Sequence, residues 1–212
     1  APATTSAAPA AAAQHAMQQP TAQITATAAP HLDAALQEAY AGYQDKGIPI
    51  GCALTYLGDD GVERVVARGR NKRVQERSST RTAVVDCLEN AGRQKAHVYK
   101  RCAVYLTSAP EILSAGAIKL YGIPKVYVGD VSNFTGALDF LMQSGVEVTT
   151  LRDARCQQLA TNFIATNPGL WYEDNGIVPP TPNGAPAPAA PRQNASAAPN
   201  AATRQLTAQL QQ

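Results

Sequence analysis

Excess charge of either sign, long apolar runs and aromatic side chains are all scarce in this sequence. Its 18 Lys+Arg stand against 16 Asp+Glu, a formal net charge of +2 over 212 residues. That balance gives no electrostatic case for a nucleic-acid binder. No apolar run approaches the ~18 residues a membrane helix requires, so no span is expected. Aromatics make up 6% of the chain, with one Trp and three Phe, so a core must rest mainly on aliphatic residues and Ala. Cysteine is limited to positions 52, 87, 102 and 156, and no two form a C-x-x-C pair. Cys52, Cys87 and Cys102 fall in apolar runs, where a thiol behaves as a small buried hydrophobe. Spacing alone leaves a disulfide open. The pattern fits a reducing compartment, hence an intracellular location, cytoplasmic or organellar. The sequons at Asn133 and Asn194 matter only in a secreted protein.

Charge is also unevenly spread. Residues 1–30 hold 13 Ala and 4 Pro but no Asp, Glu, Lys or Arg. Residues 178–212 hold 7 Pro and two charges, Arg192 and Arg204. Such segments lack the branched and aromatic side chains whose burial offsets ordering entropy, so both are expected to be disordered arms. The chain opens at Ala1, not Met, so an N-terminal segment is expected to have been removed; the arm itself carries neither the Arg of a transit peptide nor an apolar signal core. Gln205–Leu210 is expected to be a solvated end. The remaining residues, 31–177, form the expected domain and are formally neutral, with 16 Lys+Arg and 16 acids.

Within that domain the periodicity alternates. Leu32, Leu36, Ala39 and Tyr43 recur at helical spacing, and Gly47 follows as a stop. Ile50–Leu57 and Val62–Arg68 flank the turn residues Gly58-Asp59-Asp60-Gly61 and predict a hairpin. Thr80 or Thr82 can cap a helix running to about Gly92. Strands are expected at Ala103–Thr107, Val126–Val128 and Val146–Thr149. Helices are expected from Pro110-Glu111 to Leu120, near Leu138–Gln143, and at Ala154–Thr166, with a last short helix or lid at Leu170–Asp174. A hairpin followed by alternating strands and helices implies an α/β fold, a three-layer α/β/α sandwich.

In order along the core stand Gly47-Ile48-Pro49-Ile50-Gly51, Gly69-Arg70-Asn71, Cys87-Leu88-Glu89-Asn90-Ala91-Gly92-Arg93, Val98-Tyr99-Lys100, Ala115-Gly116-Ala117-Ile118, Tyr121-Gly122-Ile123-Pro124 and Trp171-Tyr172-Glu173-Asp174. This series resembles fungal cytosine deaminase, within the cytidine/deoxycytidylate deaminase superfamily, over about residues 31–176. The resemblance implies the cytidine deaminase-like fold. It also implies a zinc site of one His and two Cys with a proton-shuttling Glu, from the signature H-x-E…P-C-x-x-C.

The chain departs from that signature at each chemical position. By the same resemblance, the His falls on Thr82, the Glu on Val84, and the two Cys on Glu111 and Ser114. Hydroxyls are weak zinc ligands and a single carboxylate remains, while a protein zinc site relies on three or four good donors. No zinc, no other cofactor and no catalytic residue are therefore expected. His15, His31 and His97 lie too far from these positions to replace the lost ligands. The resemblance also places a residual base pocket at Asn71, Phe134, Trp171 and Asp174, where the family contacts or stacks on its pyrimidine. For each of these a purely structural role competes: loop, core or surface pairing. Two readings of Glu111 stand side by side: an ion pair with Arg81 filling the vacated metal site, or a solvent-facing carboxylate at a helix start. Asp86 with Glu111 offers a remote acid/base alternative. The small basic cluster Arg68, Arg70, Lys72 and Arg73 is expected to be a solvated face.

Two functions follow. The first is a catalytically inactive cytosine deaminase-like protein, a structural or partner subunit of a homodimer, a heterodimer with a related deaminase-fold subunit, or a larger assembly. Superfamily members pair through helices beside the site, which implicates residues 82–92 and 111–121, with Val84, Val85, Leu88, Ile112, Leu113, Ala117 and Ile118 as apolar candidates. The second is a pyrimidine-binding or pyrimidine-processing hydrolase with altered or relocated chemistry.

Overall fold

The computed structural model of the protein describes residues 21–177. Helix α1 (Thr21–Gln44) leads into the hairpin β1 (Gly51–Leu57) and β2 (Glu63–Arg70). Next come α2 (Ala83–Ala91), the single turn α3 (Ala96–Tyr99), β3 (Cys102–Ser108) and α4 (Ile112–Tyr121). The chain continues through β4 (Lys125–Asp130), α5 (Leu138–Gln143), β5 (Glu147–Thr150), α6 (Ala154–Thr166) and α7 (Pro168–Asp174). Apart from the start of α1, the expected elements are present to within a few residues; the turn α3 is an addition. The five strands form one sheet in the order β2-β1-β3-β4-β5. β1 pairs antiparallel with both β2 and β3, and β3, β4 and β5 run parallel.

Strand alternation divides the core into two layers. Cys52, Leu54, Val104 and Leu106 face one side and pack with Val84 and Cys87 of α2, Ala115 and Ile118 of α4, and Leu141 of α5. Ala53, Ala103 and Tyr105 face the other and pack with Leu32, Ala35, Leu36 and Ala39 of α1 and Cys156 and Leu159 of α6. Side chains that alternate along each strand thus bury both faces of the sheet, which yields the expected three-layer sandwich. All four cysteines are buried as free thiols, as apolar filling residues.

One boundary needs correction. The domain was expected to begin at residue 31, yet α1 begins at Thr21 and runs through Pro30. Ala28 lies buried in the same layer as Leu32. Alanine has the strongest helix propensity, and contact with the sheet lets the helix extend upstream of a proline that composition marks as an arm. Tyr43, expected on the buried stripe, is instead 45% exposed. Residues 1–20 and 178–212, including Gln205–Leu210, lie outside the described residues.

Caps set where the site-bearing helices start. Thr82 caps α2, its hydroxyl accepting from Val85 N at 3.4 Å. Glu111 caps α4, its carboxylate accepting from Ser114 N at 2.8 Å. Gly122 ends α4 in the left-handed conformation at φ 69°, as a C-terminal glycine allows. α2 lies so close to β2 that a Cβ on Gly69 would sit 2.2 Å from the backbone N of Cys87. Replacing Gly69→Ala must therefore shift backbone, and we expect a loss of about 2 kcal/mol in urea-induced unfolding. An unchanged midpoint would show that α2 does not depend on this close approach.

Candidate functional site

The crossovers bring the starts of α2 and α4 together at the end of the sheet. Thr82 Oγ1 and Ser114 Oγ, 32 residues apart in sequence, lie 2.9 Å from each other and are both buried. Glu111 joins them through Ser114 N. Val84 is buried in the apolar layer beside Cys87. The four positions picked out by the resemblance are thus neighbours in space as well as in pattern. Their groups are already partnered: each hydroxyl has the other, and the carboxylate holds a helix N–H.

A cleft of about 610 Å³ opens above this floor. Thr82, Glu111, Phe134 and Asp174 line it, together with Arg73, Ile112, Leu113 and Phe140. Asp139 and Glu173 stand at its rim. Of the expected base pocket, Phe134 and Asp174 face the cleft, while Asn71 and Trp171 lie behind its wall. Of the two roles open to Trp171, covering a base or filling the core, it takes the core one: it is 2% exposed and packs against Ile48, Ala160 and Phe163. α7 is consequently anchored to the body by its largest side chain; it is not a free lid. A lone Trp in a chain poor in aromatics is a strong source of apolar burial, which favours its use as an anchor.

Asn71 and Asp174 spend their polar groups on each other. Asn71 Nδ2 donates to Asp174 Oδ2 at 2.8 Å, and Arg73 N donates to Asn71 Oδ1 at 3.1 Å. Arg73 Nη1 donates to Asp174 Oδ1 at 2.9 Å and to its backbone O at 2.6 Å. Arg73 is the site residue that sequence reasoning placed elsewhere. The signal was its position two residues after Asn71, on the loop that must face α7.

Of the rest of the basic cluster, Arg68 is exposed and donates only to Gln37, as a solvated face requires, while Arg70 and Lys72 are paired. Arg70 pairs with Glu38 at 3.2 Å and Asp45 at 2.9 Å. Lys72 and Arg81 each lie 3.0 Å from Asp86 Oδ1, and Arg70 N donates to Asp86 Oδ2. Of the two readings of Glu111, the pair with Arg81 is therefore not formed. The Asp86 side chain is 1% exposed, and a buried carboxylate binds nearby cations more strongly than a half-exposed one does. The same contacts remove Asp86 as a free acid/base partner for Glu111. Burial alone would raise its pKa, but the Arg70 N–H, Lys72 and Arg81 together hold it below the usual carboxylate range.

Asp174 behaves oppositely. Burial pushes its carboxyl up to about 6 against the pull of Arg73, and the charge of Glu111 pushes the same way. The two acids therefore have opposite linkage. Asp86 stabilises the fold when ionised, and that contribution is lost as pH falls. Asp174 stabilises it when protonated, and that contribution fades as pH rises through about 6.

Zinc does not fit this donor set. Protein zinc sites use thiolate, imidazole and carboxylate ligands. Here two mutually bonded hydroxyls and one capping carboxylate stand at the matching positions. Among the described residues, no group of three or more His, Cys, Asp or Glu side chains is placed to hold a metal ion. His31 lies against Tyr105 in the opposite layer, with ring centroids 5.1 Å apart, and His97 sits in the exposed turn α3. His15 falls outside the described residues.

No family model matches the chain. Among curated proteins, it is 39% identical over 145 residues to cytosine deaminase of Candida albicans, covering 68% of this chain and 94% of that enzyme. It is 30% identical over 102 residues to tRNA-specific adenosine deaminase 2 of Xenopus tropicalis, covering 45% of this chain and 57% of that protein. Among solved structures, a tRNA:A34 deaminase superposes with a TM-score of 0.50 at 23% identity, covering 62% of this chain and 99% of that one. Guanine deaminase of Nitrosomonas europaea gives 0.50 at 21% identity, covering 77% of this chain and 97% of that one.

Two measurements check the electrostatics. In carboxyl-detected NMR titrations, Asp174 is expected to titrate near 6, and Glu111→Gln should lower its midpoint. A midpoint in the ordinary aspartate range would refute the burial argument. Asp86→Asn should cost about 3 kcal/mol at pH 7, because it strips a buried anion from two cations. That cost should shrink in acid as the wild-type carboxylate protonates.

Proposed function

Because the chain belongs to the cytosine deaminase family, we propose that it is a family member that has given up catalysis and serves as a structural or partner subunit of a dimer or larger assembly. The observation that carries this reading is the 2.9 Å bond between the Thr82 and Ser114 hydroxyls at two of the positions where the family pattern has metal ligands. The chemistry of the family needs a metal-held hydroxide and a carboxylate that shuttles protons. Loss of an acid/base group alone costs typically 10²–10⁴-fold in rate. Loss of the metal removes the nucleophile as well. Val84 supports the same reading, because a buried valine in the apolar layer neither accepts nor donates a proton.

The fold does not depend on zinc to hold this region together. The hydroxyl pair satisfies the buried polar atoms, and Glu111 supplies an anion to the N-terminus of α4, where the helix dipole favours it. Asn71, Asp174 and Arg73 are bonded to one another, so a pyrimidine would have to displace existing contacts to use them. Exposed apolar residues on α4 give a subunit role a physical basis: Ile112 is 63% exposed and Leu120 78%. Some of the apolar candidates on these helices must be core, and Val84 and Ile118 are.

A second reading, a pyrimidine-binding or pyrimidine-processing hydrolase, draws on the size of the cleft and on Phe134 and Asp174 within it. One experiment separates the two. The purified chain is assayed for bound metal, and for ammonia release from cytosine, 5-methylcytosine and cytidine. The structural reading expects zinc below about a tenth per chain, given the ~10–16 kcal/mol that a complete ligand set would supply, and no ammonia. Stoichiometric metal with measurable turnover would overturn it. A pyrimidine-dependent rise in melting temperature without turnover would favour retained binding.

A further inference from the structure

The run Gly92–Arg101, from the end of α2 through the turn α3, holds Arg93, Lys95, Lys100 and Arg101 and no acid, in a domain that is formally neutral. Its cations fare differently from those of the loop Arg70–Arg81. Arg101 is held by Asp59. Among the described residues, Arg93, Lys95 and Lys100 form no ion pair. All three are exposed, and so is His97 between them.

Two hollows flank this run. One, of about 460 Å³, lies against the ends of α2 and α4, where Leu88, Arg93, Tyr99 and Leu120 line it. The other, of about 260 Å³, lies against the hairpin, where Leu54, Tyr56, Val66 and Val98 line it. Gln94 belongs to both walls, so the run stands between them as a ridge. Val66 is 52% exposed and Leu120 78%, which leaves apolar surface open at both outer margins. Apolar hollows that can seat side chains, beside charges that can orient them, are the parts of a protein contact surface.

The ridge is ordered before anything binds. Tyr99 is buried, and its hydroxyl accepts from Gln94 N and donates to Gly92 O, both at 3.4 Å. Gln94 Nε2 donates to Ala91 O at 2.7 Å. Lys100 N and Arg101 N close the turn on Ala96 O and Val98 O. A surface already fixed in this way loses little further entropy when a partner docks.

Charge decides the occupant. The one acid lining either hollow is Glu89, against three unpaired cations, so the complement is acidic. Residues 1–20 and 178–212 contain no Asp or Glu, so the complement is not in those arms. Nucleic acid fits less well. A phosphate backbone makes no use of apolar hollows, and two of the tyrosines here offer no free ring face to a base: Tyr99 is buried and Tyr56 lies beneath the Arg101 guanidinium, 5.2 Å from its centroid.

We infer that the ridge 92–101 docks an acidic polypeptide segment of a different protein, with apolar side chains seated in the two hollows and carboxylates on Arg93, Lys95 and Lys100. The inference rests on the subunit reading above and gives its partner a chemistry.

A display library of random peptides of ~16 residues, up to ~50 Å when extended, is panned against the full chain. The selected peptides should carry several Asp or Glu around two or more apolar residues. In fluorescence anisotropy, a synthetic copy of the most enriched peptide should bind the triple variant Arg93→Glu, Lys95→Glu, Lys100→Glu at least ~10-fold more weakly. Val66→Asp and Leu120→Asp, one at the margin of each hollow, should each cost at least ~5-fold. Added salt should weaken the wild-type complex. All these substitutions alter exposed side chains and should leave the melting temperature within ~2 °C of the wild type, which separates a lost contact from misfolding. Failure to enrich any peptide, enrichment of peptides without acids, or binding indifferent to the triple variant would overturn the inference. So would an oligouridine that binds more tightly than the peptide and is lost in the triple variant, or a species of twice the 22.3 kDa chain mass that the triple variant dissociates. Its failure is distinct from failure of the subunit reading: metal and ammonia decide whether the chain is an enzyme, and the selected peptides decide what the ridge holds.

Discussion

Two helices begin within hydrogen-bonding reach of each other, and much of the molecule is arranged around that meeting. The N-termini of α2 and α4 each carry unpaired N–H groups and the positive end of a helix dipole. Bringing two such ends together in a buried place demands that each donor find an acceptor. In this chain Thr82 and Glu111 supply the caps, and Ser114 links them through its hydroxyl and its N–H. The sheet order follows from the same requirement. β3 must deliver the chain to α4, while the hairpin β1–β2 must hold the loop that leads to α2. Gly69 lets α2 lie against β2 closely enough for Thr82 to arrive there.

A second layer of polar contacts ties the surrounding loops to this centre. Asp86, one turn into α2, draws Arg70 N, Lys72 and Arg81 onto itself. Asp174, at the end of α7, is held by Asn71 and Arg73. The loop from Arg70 to Arg81 is therefore fastened at both ends by buried or half-buried carboxylates. Three of the four cations that look in sequence like a free basic patch, Arg70, Lys72 and Arg73, are paired with acids, and the cleft presents mainly acidic and apolar groups. Those are poor recognition elements for a phosphate backbone, which agrees with the near-neutral charge of the chain.

Much of the fold was legible in the sequence. Turn residues Gly58–Gly61, the stop at Gly122 and the short apolar run Ala103–Thr107 announce their elements locally, because turn chemistry and run length act over a few residues. The positions of Thr82, Val84, Glu111 and Ser114 were equally legible, since they are defined by spacing from recognisable neighbours. The start of α1 was not. An Ala-rich segment interrupted by Pro30 has the composition of a linker, and only packing against the sheet turns it into helix. The role of Trp171 was open for a related reason: an aromatic near the chain end can cover a site or anchor a helix, and the choice depends on what lies beneath it.

The amino-acid sequence by itself determined the order of elements, the near-neutral charge and the presence of Thr82, Glu111 and Ser114 at the positions that the family pattern marks. These are properties of residue type and local pattern. Only the tertiary structure decided which partners those residues take. Arg81 goes to Asp86, which also holds Lys72 and Arg70 N, and Glu111 serves as a cap. Arg73 closes on Asp174, and Ile112 and Leu120 stay outside while Ile118 goes in, because helix phase against the sheet sorts one apolar segment into two unlike faces. Composition is blind to that phase, since it arises from contacts between residues far apart along the chain.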